Sequence, residues 1–523
     1  MSQNTSDVLV VGAGIGGLAS AARLSAAGLS VTVLERQAAP GGKMRTAASP
    51  AGPADTGPTG LTMKPVFDSL FAALGTRLED HVDLIRQPMI ARHFWPDGTA
   101  LDLFDNEAQS RASIAAFSGT RSAEQFGRFC ARARRLFDGF EQPIIRAPAP
   151  TLGKLASYVM ARPALARAMA PGATLADLCR RSFDDPRLAQ LFGRYATYVG
   201  GSPYKVPALL SLIWQAECAG VWVPRGGMSA LAGALAECAA ARGATFLYNT
   251  PAVELDISNG KIGGVVLEDG MTLRAEHVVF NGDPRALATG LLGNAAQRAA
   301  PQTARLPRSL SAEVWAFAAK ASGPELAHHN VFFRNDPEPE FRALEEGRLV
   351  EDPTLYICAM DRGLPEPPGE VERFEIIANA PPLNLNPAEE ETQKCHRRTF
   401  STLQSQGLTF TPEPGLAALT HPRQWETLFP GSCGSLYGQS PHGTMAAFQR
   451  PVARTQIKGL YLAGGGVHPG AGVPMATLSG QHAAEAILTD RTSTSPSRPT
   501  AMRGGISTAS ATTTGVPSRS SPS

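Results

Sequence analysis

The 523-residue chain lacks an excess of charge of either sign. Its 48 Lys and Arg face 46 Asp and Glu, a net +2 at pH 7. Nothing global therefore draws it to nucleic acid, and only a short basic tail speaks for such a partner. Long apolar runs are missing as well. No stretch reaches about 18 uninterrupted apolar residues, so no transmembrane helix is expected. The first apolar stretch, VLVVGAGIGGLASAARL, follows MSQNTSD, which has one acid and no basic residue. That is the wrong flank for a signal peptide. Paired cysteines are absent. Cys130, Cys179, Cys218, Cys238, Cys358, Cys395 and Cys433 are scattered, with no C-x-x-C. Reduced, mostly buried thiols in a cytosolic setting are expected, with no disulfide frame and no zinc site. His328 and His329 are adjacent, but there is no H-x-x-x-H, and no G-x-S-x-G elbow. Metal and hydrolase chemistry are not expected. The 52 Gly and 42 Pro stay below the level that signals disorder, and no internal repeat is present.

What is present is a globular composition, 43% hydrophobic and 18% charged, long enough for two to four structural units. Residues 7–12 form a β-branched run with a buried-strand pattern. A helical segment with Leu18, Ala22 and Leu24 follows and stops at Gly28; SVTVLE is a second strand. Residues 106–223 are mostly helical in pattern, with Arg-rich amphipathic pieces. KIGGVVLEDGMTLRAEHVVFN carries a hairpin signature at Asp269–Gly270. Its last strand, ending near Asn281, is expected to return to the first sheet. Residues 311–420 predict a second, mainly antiparallel sheet. GLYLAGGGVHPGAGVP then reads as strand and glycine loop, with a helix after it.

Gly12-Ala13-Gly14-Ile15-Gly16-Gly17 supplies G-x-G-x-x-G between a strand and a helix. Gly12 permits the tight turn, Gly14 lets the backbone approach a pyrophosphate, and Gly17 lets helix and strand pack closely. Helix N-terminal amides then face the phosphates. Glu35, at the end of the second strand, can accept hydrogen bonds from ribose hydroxyls. A dinucleotide is implied. FAD is longer than one such turn can hold, so a second glycine loop is needed downstream. Gly464 and Gly465 allow close approach to the ribityl and ring, and Pro474 and Met475 can place amides at the flavin's carbonyl edge.

ERQAAPGGKMRT resembles the motif of the flavin amine oxidase and phytoene desaturase superfamily. That resemblance implies FAD contacts at Arg36, Gly42, Lys43 and Val253. It also implies an α/β fold: a Rossmann-type FAD-binding domain with an inserted substrate domain of antiparallel sheet plus helices. Tyr461 through Pro474 is similar to the C-terminal signature of bacterial carotenoid desaturases. FWPDG, GVWVPRGGM and SLYGQSPHGTMAAFQRP resemble the 1-hydroxycarotenoid 3,4-desaturase subgroup, which includes methoxyneurosporene and hydroxyneurosporene dehydrogenases. Val467 stands where phytoene desaturases often carry threonine, so one hydroxyl is absent.

The resemblance implies desaturation of an acyclic carotenoid, with a hydride passing to flavin N5 and a proton leaving the neighbouring carbon. Oxygen or a quinone would be the electron acceptor. His442 and His468 are the polar candidates for catalysis, each with the alternative of holding a loop. Carotenoids partition into membranes, so a cytoplasmic protein peripherally bound to the inner or photosynthetic membrane is expected. LGKLASYVMARPALARAMA, with Leu155, Tyr158, Val159, Leu165 and Met169 beside Lys154, Arg162 and Arg167, is a candidate interfacial helix pair broken at Pro163. Competing readings are a phytoene desaturase, a flavin amine oxidase or protoporphyrinogen oxidase, and a non-catalytic prenyl-binding protein like the Rab GDP-dissociation inhibitors. The expected division puts the FAD domain at 1–105, 225–290 and 446–490. A helical and sheet region facing substrate and membrane takes 106–224, a substrate sheet 291–445 and a disordered tail 491–523.

Overall fold

A computed structural model describes residues 5–383 and 389–494. From residue 495 on, the expected tail lies outside the described residues. Strand β1, Thr5–Val11, is apolar on both faces of its inner half, which suits the centre of a parallel sheet covered on both sides. It pairs in parallel with β2, Val31–Leu34, on one side and with Thr272–Phe280 on the other. Thr245–Leu247 extends the sheet beyond β2, and Leu460–Leu462 pairs with the far end of Thr272–Phe280. The carboxyl ends of four of these five parallel strands meet at one edge. Gly12, Glu35, Asn281 and Ala463 are the residues that follow them, and this is where open α/β sheets bind ligands. The Asp269–Gly270 turn joins Lys261–Leu267 to Thr272–Phe280 in an antiparallel hairpin, with Gly270 at φ 83°.

Helix α1, Ile15–Ala26, crosses from β1 to β2, and its first eight residues are all buried. It packs against Met228–Ala241 and Val473–Thr494. Ala19, Ala22, Ala232 and Ala483 keep these helices close in one core.

The second sheet is mainly antiparallel. Ser311–Ser322, Glu372–Ala380, Leu355–Ala359 and His329–Phe332 follow one another across it. Residues 89–104, grouped with the first FAD segment in the sequence reading, pair into this sheet through Met89–Phe94 beside His329–Phe332. Alternation in FWPDG-LDLF shows a hairpin but not which sheet receives it. Helices pack on this second sheet, among them Thr120–Phe140, with Phe126, Phe129 and Trp214 in the shared core.

Leu152–Met160 and Pro163–Met169 are separate helices, broken where Pro163 removes a backbone donor. The apolar residues expected to face a membrane are buried or half-buried. Leu165 is buried, and Leu155, Tyr158, Val159 and Met169 pack around it. The exposed apolar side chains are Leu152 and Met160, at 47% and 74% exposure. Among the described residues, no helix is long and apolar enough to cross a membrane.

Candidate functional site

A cavity of about 1710 Å³ runs from the carboxyl edge of the first sheet to the inner face of the second. That exceeds the roughly 300–1,000 Å³ of an ordinary ligand pocket. Eleven of the residues named for cofactor binding line it: Gly12, Gly14, Glu35, Arg36, Gly42 and Lys43 from the first segment, Val253, then Gly464, Gly465, Pro474 and Met475. Gly17 stands behind it. A Cβ there would be driven into the Gly12 carbonyl oxygen, so its role is close helix–strand packing.

The loops around this edge hold one another. Gly41 N donates to Ala13 O at 2.8 Å, which docks the GGK loop on the fingerprint loop. Glu35, expected to meet a ribose, also holds backbone. Its Oε2 accepts from Ala13 N at 2.7 Å and its Oε1 from Gln37 N at 2.8 Å. A carboxylate has about four lone-pair sites, so acceptor capacity remains for ribose hydroxyls. Asn281, which the sequence reading noted only as a strand end, donates from Nδ2 to Gly12 O at 3.2 Å. Its Oδ1 is buried with no partner. Gly465 and Gly472 meet no atom closer than 3.9 Å where a Cβ would stand, so their backbone borders free space. Lining glycines and the N-terminus of α1 suit a dinucleotide phosphate.

Lys43 sits deep in the cavity wall. Its Nζ donates to Leu436 O at 2.5 Å and lies 5.4 Å over the Phe429 ring. Burial, with Arg308 and Arg450 nearby, pushes its pKa down to about 8, while Asp283 opposes the shift. Asp283 is itself paired with Arg308, both nearly buried. Arg450 ties the C-terminal glycine loop down. It donates to Gly465 O at 2.8 Å, to Tyr437 O at 3.0 Å and to Gln439 O at 3.3 Å.

The segment after the GGK loop brings further polar groups together beside this cavity. Asp55 Oδ2 accepts from Met228 N at 2.7 Å, at the start of Met228–Ala241. Burial pushes that carboxyl up to about 6. Glu375, driven well above the usual carboxylate range by burial and by Asp55, accepts from Gly57 N at 2.6 Å. Thr59 Oγ1 and Tyr356 Oη lie 2.6 Å apart, and His329 Nδ1 is 2.7 Å from the same Tyr356 oxygen. All three line the cavity. Burial holds His329 well below the ordinary histidine pKa, so it is neutral.

His442 and His468 do not line the cavity. His442 Nε2 accepts from Ser202 N at 2.9 Å. His468 donates from Nε2 to Ala147 O at 2.8 Å and stacks on His482; burial pushes it down to about 4. Each holds a loop, the alternative their sequence context allowed. His328, His329 and Cys358 come together with ligand atoms within 4.8 Å of one another. Both His328 nitrogens are engaged, by Arg362 O at 2.6 Å and by Cys358 Sγ at 3.4 Å. Sequence spacing could not show this knot, because 30 residues separate its halves.

Residues 15–488 match the family described as flavin containing amine oxidoreductase. The chain belongs to that family. It is an oxidoreductase, and its cofactor is FAD. It is 52% identical over 491 residues to the hydroxyneurosporene desaturase of Rhodobacter capsulatus, covering 94% of this chain and 99% of the relative. To the hydroxyneurosporene desaturase of Rubrivivax gelatinosus it is 43% identical over 526 residues, covering 98% and 99%. Among solved structures, an oxidoreductase from Methanosarcina mazei shares the fold with a TM-score of 0.61 at 17% identity, over 91% of this chain and 99% of that one.

Proposed function

We propose that the protein introduces the C-3,4 double bond into an acyclic 1-hydroxy- or 1-methoxy-carotenoid. The observation that carries this reading is the apolar extension of the cavity beyond the FAD cradle. Phe140, Ile144, Leu155, Leu209, Ile213 and Phe333 are among its walls. A long hydrocarbon is the class of guest that such walls favour, at about 25 cal/mol for each Å² of apolar surface removed from water. Identity of 52% to a hydroxyneurosporene desaturase over 99% of that relative supports the same chemistry.

Bound FAD supplies a two-electron oxidant for a CH–CH bond. The chain's own work is positioning and exclusion of water. Neutral His329, its Nδ1 held by Tyr356, keeps Nε2 toward Gly60 on the cavity wall, a fixed polar atom that helps to position the substrate. Reoxidation is assigned to oxygen or a quinone. The two sheets supply a discontinuous FAD-binding domain and a substrate domain, with residues 89–104 in the latter. In a host that makes 1-hydroxyneurosporene, expression of the protein is expected to shift the pigment absorbance to the red, since each added double bond lengthens the chromophore. An unshifted spectrum with flavin-loaded protein present would overturn the reading.

The same reading puts the protein at a membrane surface. Leu152 and Met160 project from a helix whose Leu155 lines the cavity, with Lys154, Arg162 and Arg167 around them. Apolar tips ringed by cations suit the interface of an anionic bilayer. The protein is expected to float with anionic vesicles in a density gradient. The double variant Leu152→Glu, Met160→Glu is expected to stay at the bottom with its flavin content unchanged. Flotation of both alike would remove this helix from the contact.

A further inference from the structure

Arg194 begins the turn Arg194–Val199 and lines the cavity. An arginine carries five N–H donors and stays charged. Few of these donors are used here. Nε is buried without a partner. Nη2 reaches Tyr198 Oη only at 3.4 Å. The guanidinium otherwise lies beside the rings of Tyr195 and Tyr198, 5.9 and 5.3 Å from their centroids. Among the described residues Arg194 makes no ion pair.

Glu217 is the acid nearest in this wall, and its oxygens are taken. Oε1 accepts from Tyr198 Oη at 2.6 Å, and Oε2 accepts from Tyr195 Oη. The two tyrosines and Glu217 therefore form a platform, with Arg194 over the tyrosine rings; Nε is enclosed by protein, and Nη1, without a hydrogen-bond partner among the described residues, is the donor left to the cavity. A buried donor without an acceptor is costly, and more so when it is charged. Nη1 is the donor that a ligand's acceptor can reach. The carboxylate nearby already offsets the cation, so a neutral oxygen fits better than an anion.

Resting on the function proposed above, we infer that Arg194 binds the oxygen at C-1 of the carotenoid and so selects the C-3,4 bond. A donor serves a hydroxyl and a methoxyl alike, since both accept; an acceptor would serve only the hydroxyl. The need for such an anchor follows from the substrate. An acyclic carotenoid repeats every five-carbon unit, and apolar walls cannot distinguish one repeat from the next. A polar atom at one end breaks that degeneracy. The C-1 oxygen lies three bonds from C-3, so its anchor must stand close to the reacting wall. Arg194 is near enough to His329 for its charge to help keep that imidazole neutral. His329 reaches Thr59 through Tyr356, and a Cβ at neighbouring Gly57 would run into the Lys43 carbonyl. The anchor and the GGK loop therefore belong to one continuous wall.

The test compares 1-hydroxyneurosporene with 1,2-dihydroneurosporene, which lacks only the oxygen, using FAD-loaded protein and vesicle-borne substrate. The unaltered protein is expected to favour the hydroxylated compound about 10- to 150-fold in kcat/KM, the range for a hydrogen bond to a charged group. Arg194→Met is expected to lose that preference, chiefly through a raised KM for the hydroxylated compound. Arg194→Lys is expected to keep part of it. Equal loss on both compounds, or a preference that survives Arg194→Met, would overturn the anchor. Should Arg194→Met fail to fold, the preference of the unaltered protein and the partial retention by Arg194→Lys decide the question. Turnover of neither compound by the unaltered protein sinks the proposed function itself; turnover of both alike sinks only the anchor.

Discussion

Alanine at position 17 is expected to empty the protein of flavin and to cost about 3 kcal/mol of stability, the upper part of the range for overpacking. The added methyl meets the Gly12 carbonyl oxygen first and then Asn281, whose Nδ2 and Cβ lie 3.1 and 3.2 Å from where it would stand. The first obstacle is backbone and cannot swing aside. Relief requires α1 to lift from β1, and α1 is buried over its first eight residues against two further helices. Lifting it would carry the helix N-terminus away from the phosphates and pull Asn281 off Gly12 O. Gly28→Ala is the control. A Cβ there meets nothing within 4 Å, so only its φ of 84° is strained. About 1–2 kcal/mol is expected, with flavin retained. Flavin absorbance per mole of purified protein and the denaturant midpoint separate the two cases. Gly17→Ala with full flavin content and an unmoved midpoint would contradict this account of the close approach.

The contrast between these two glycines shows what was legible beforehand. Gly17 could be read because its purpose is local: a strand, a turn and a helix within a few residues. The Asp269–Gly270 hairpin and the break at Pro163 were legible for the same reason. Periodicity and turn chemistry state the element, and the next element is close in sequence. The two glycine loops that line the cavity were legible because each states its own turn. Groups whose meaning depends on closure of the chain were not. Arg194 looks like one more arginine in an amphipathic stretch until Glu217 is seen to be satisfied by Tyr195 and Tyr198. His329 looks like half of a histidine pair until Tyr356, 27 residues on, meets its Nδ1. His442 and His468 drew attention because they stand beside glycine loops, yet sequence does not say which side of a loop faces the cavity. The apolar residues of 152–169 show the same limit. Their spacing marks a helix face, and only packing shows that Leu165 is covered while Met160 is not.

Arg450→Met should be the most damaging change on the opposite side of the cofactor cradle. Arg450 is 9% exposed and donates to three backbone carbonyls, those of Gly465, Tyr437 and Gln439. Two opposing effects have to be weighed. Removing the charge relieves crowding with Arg308, which together with burial pushes the Arg450 pKa down to about 10. The same crowding lowers Lys43, so relief there is also expected. Against this, three carbonyls lose their donor, at roughly 1–3 kcal/mol for each acceptor left unpaired. The carbonyls outweigh the charge. Asp283 already offsets part of the cationic crowding, whereas nothing else among the described hydrogen bonds serves the Gly465 carbonyl. A net loss of about 3–5 kcal/mol is expected, as for a broken buried charge site. Flavin should be lost with it, because the freed carbonyl belongs to the loop that borders the cofactor. Arg450→Lys keeps the charge but offers a compact ammonium in place of a planar fork that spans three acceptors. It should recover only part of the stability. If charge were the purpose of Arg450, lysine would restore flavin content in full and methionine would leave the denaturant midpoint nearly unchanged. If the fork is the purpose, both variants lose flavin and methionine loses more.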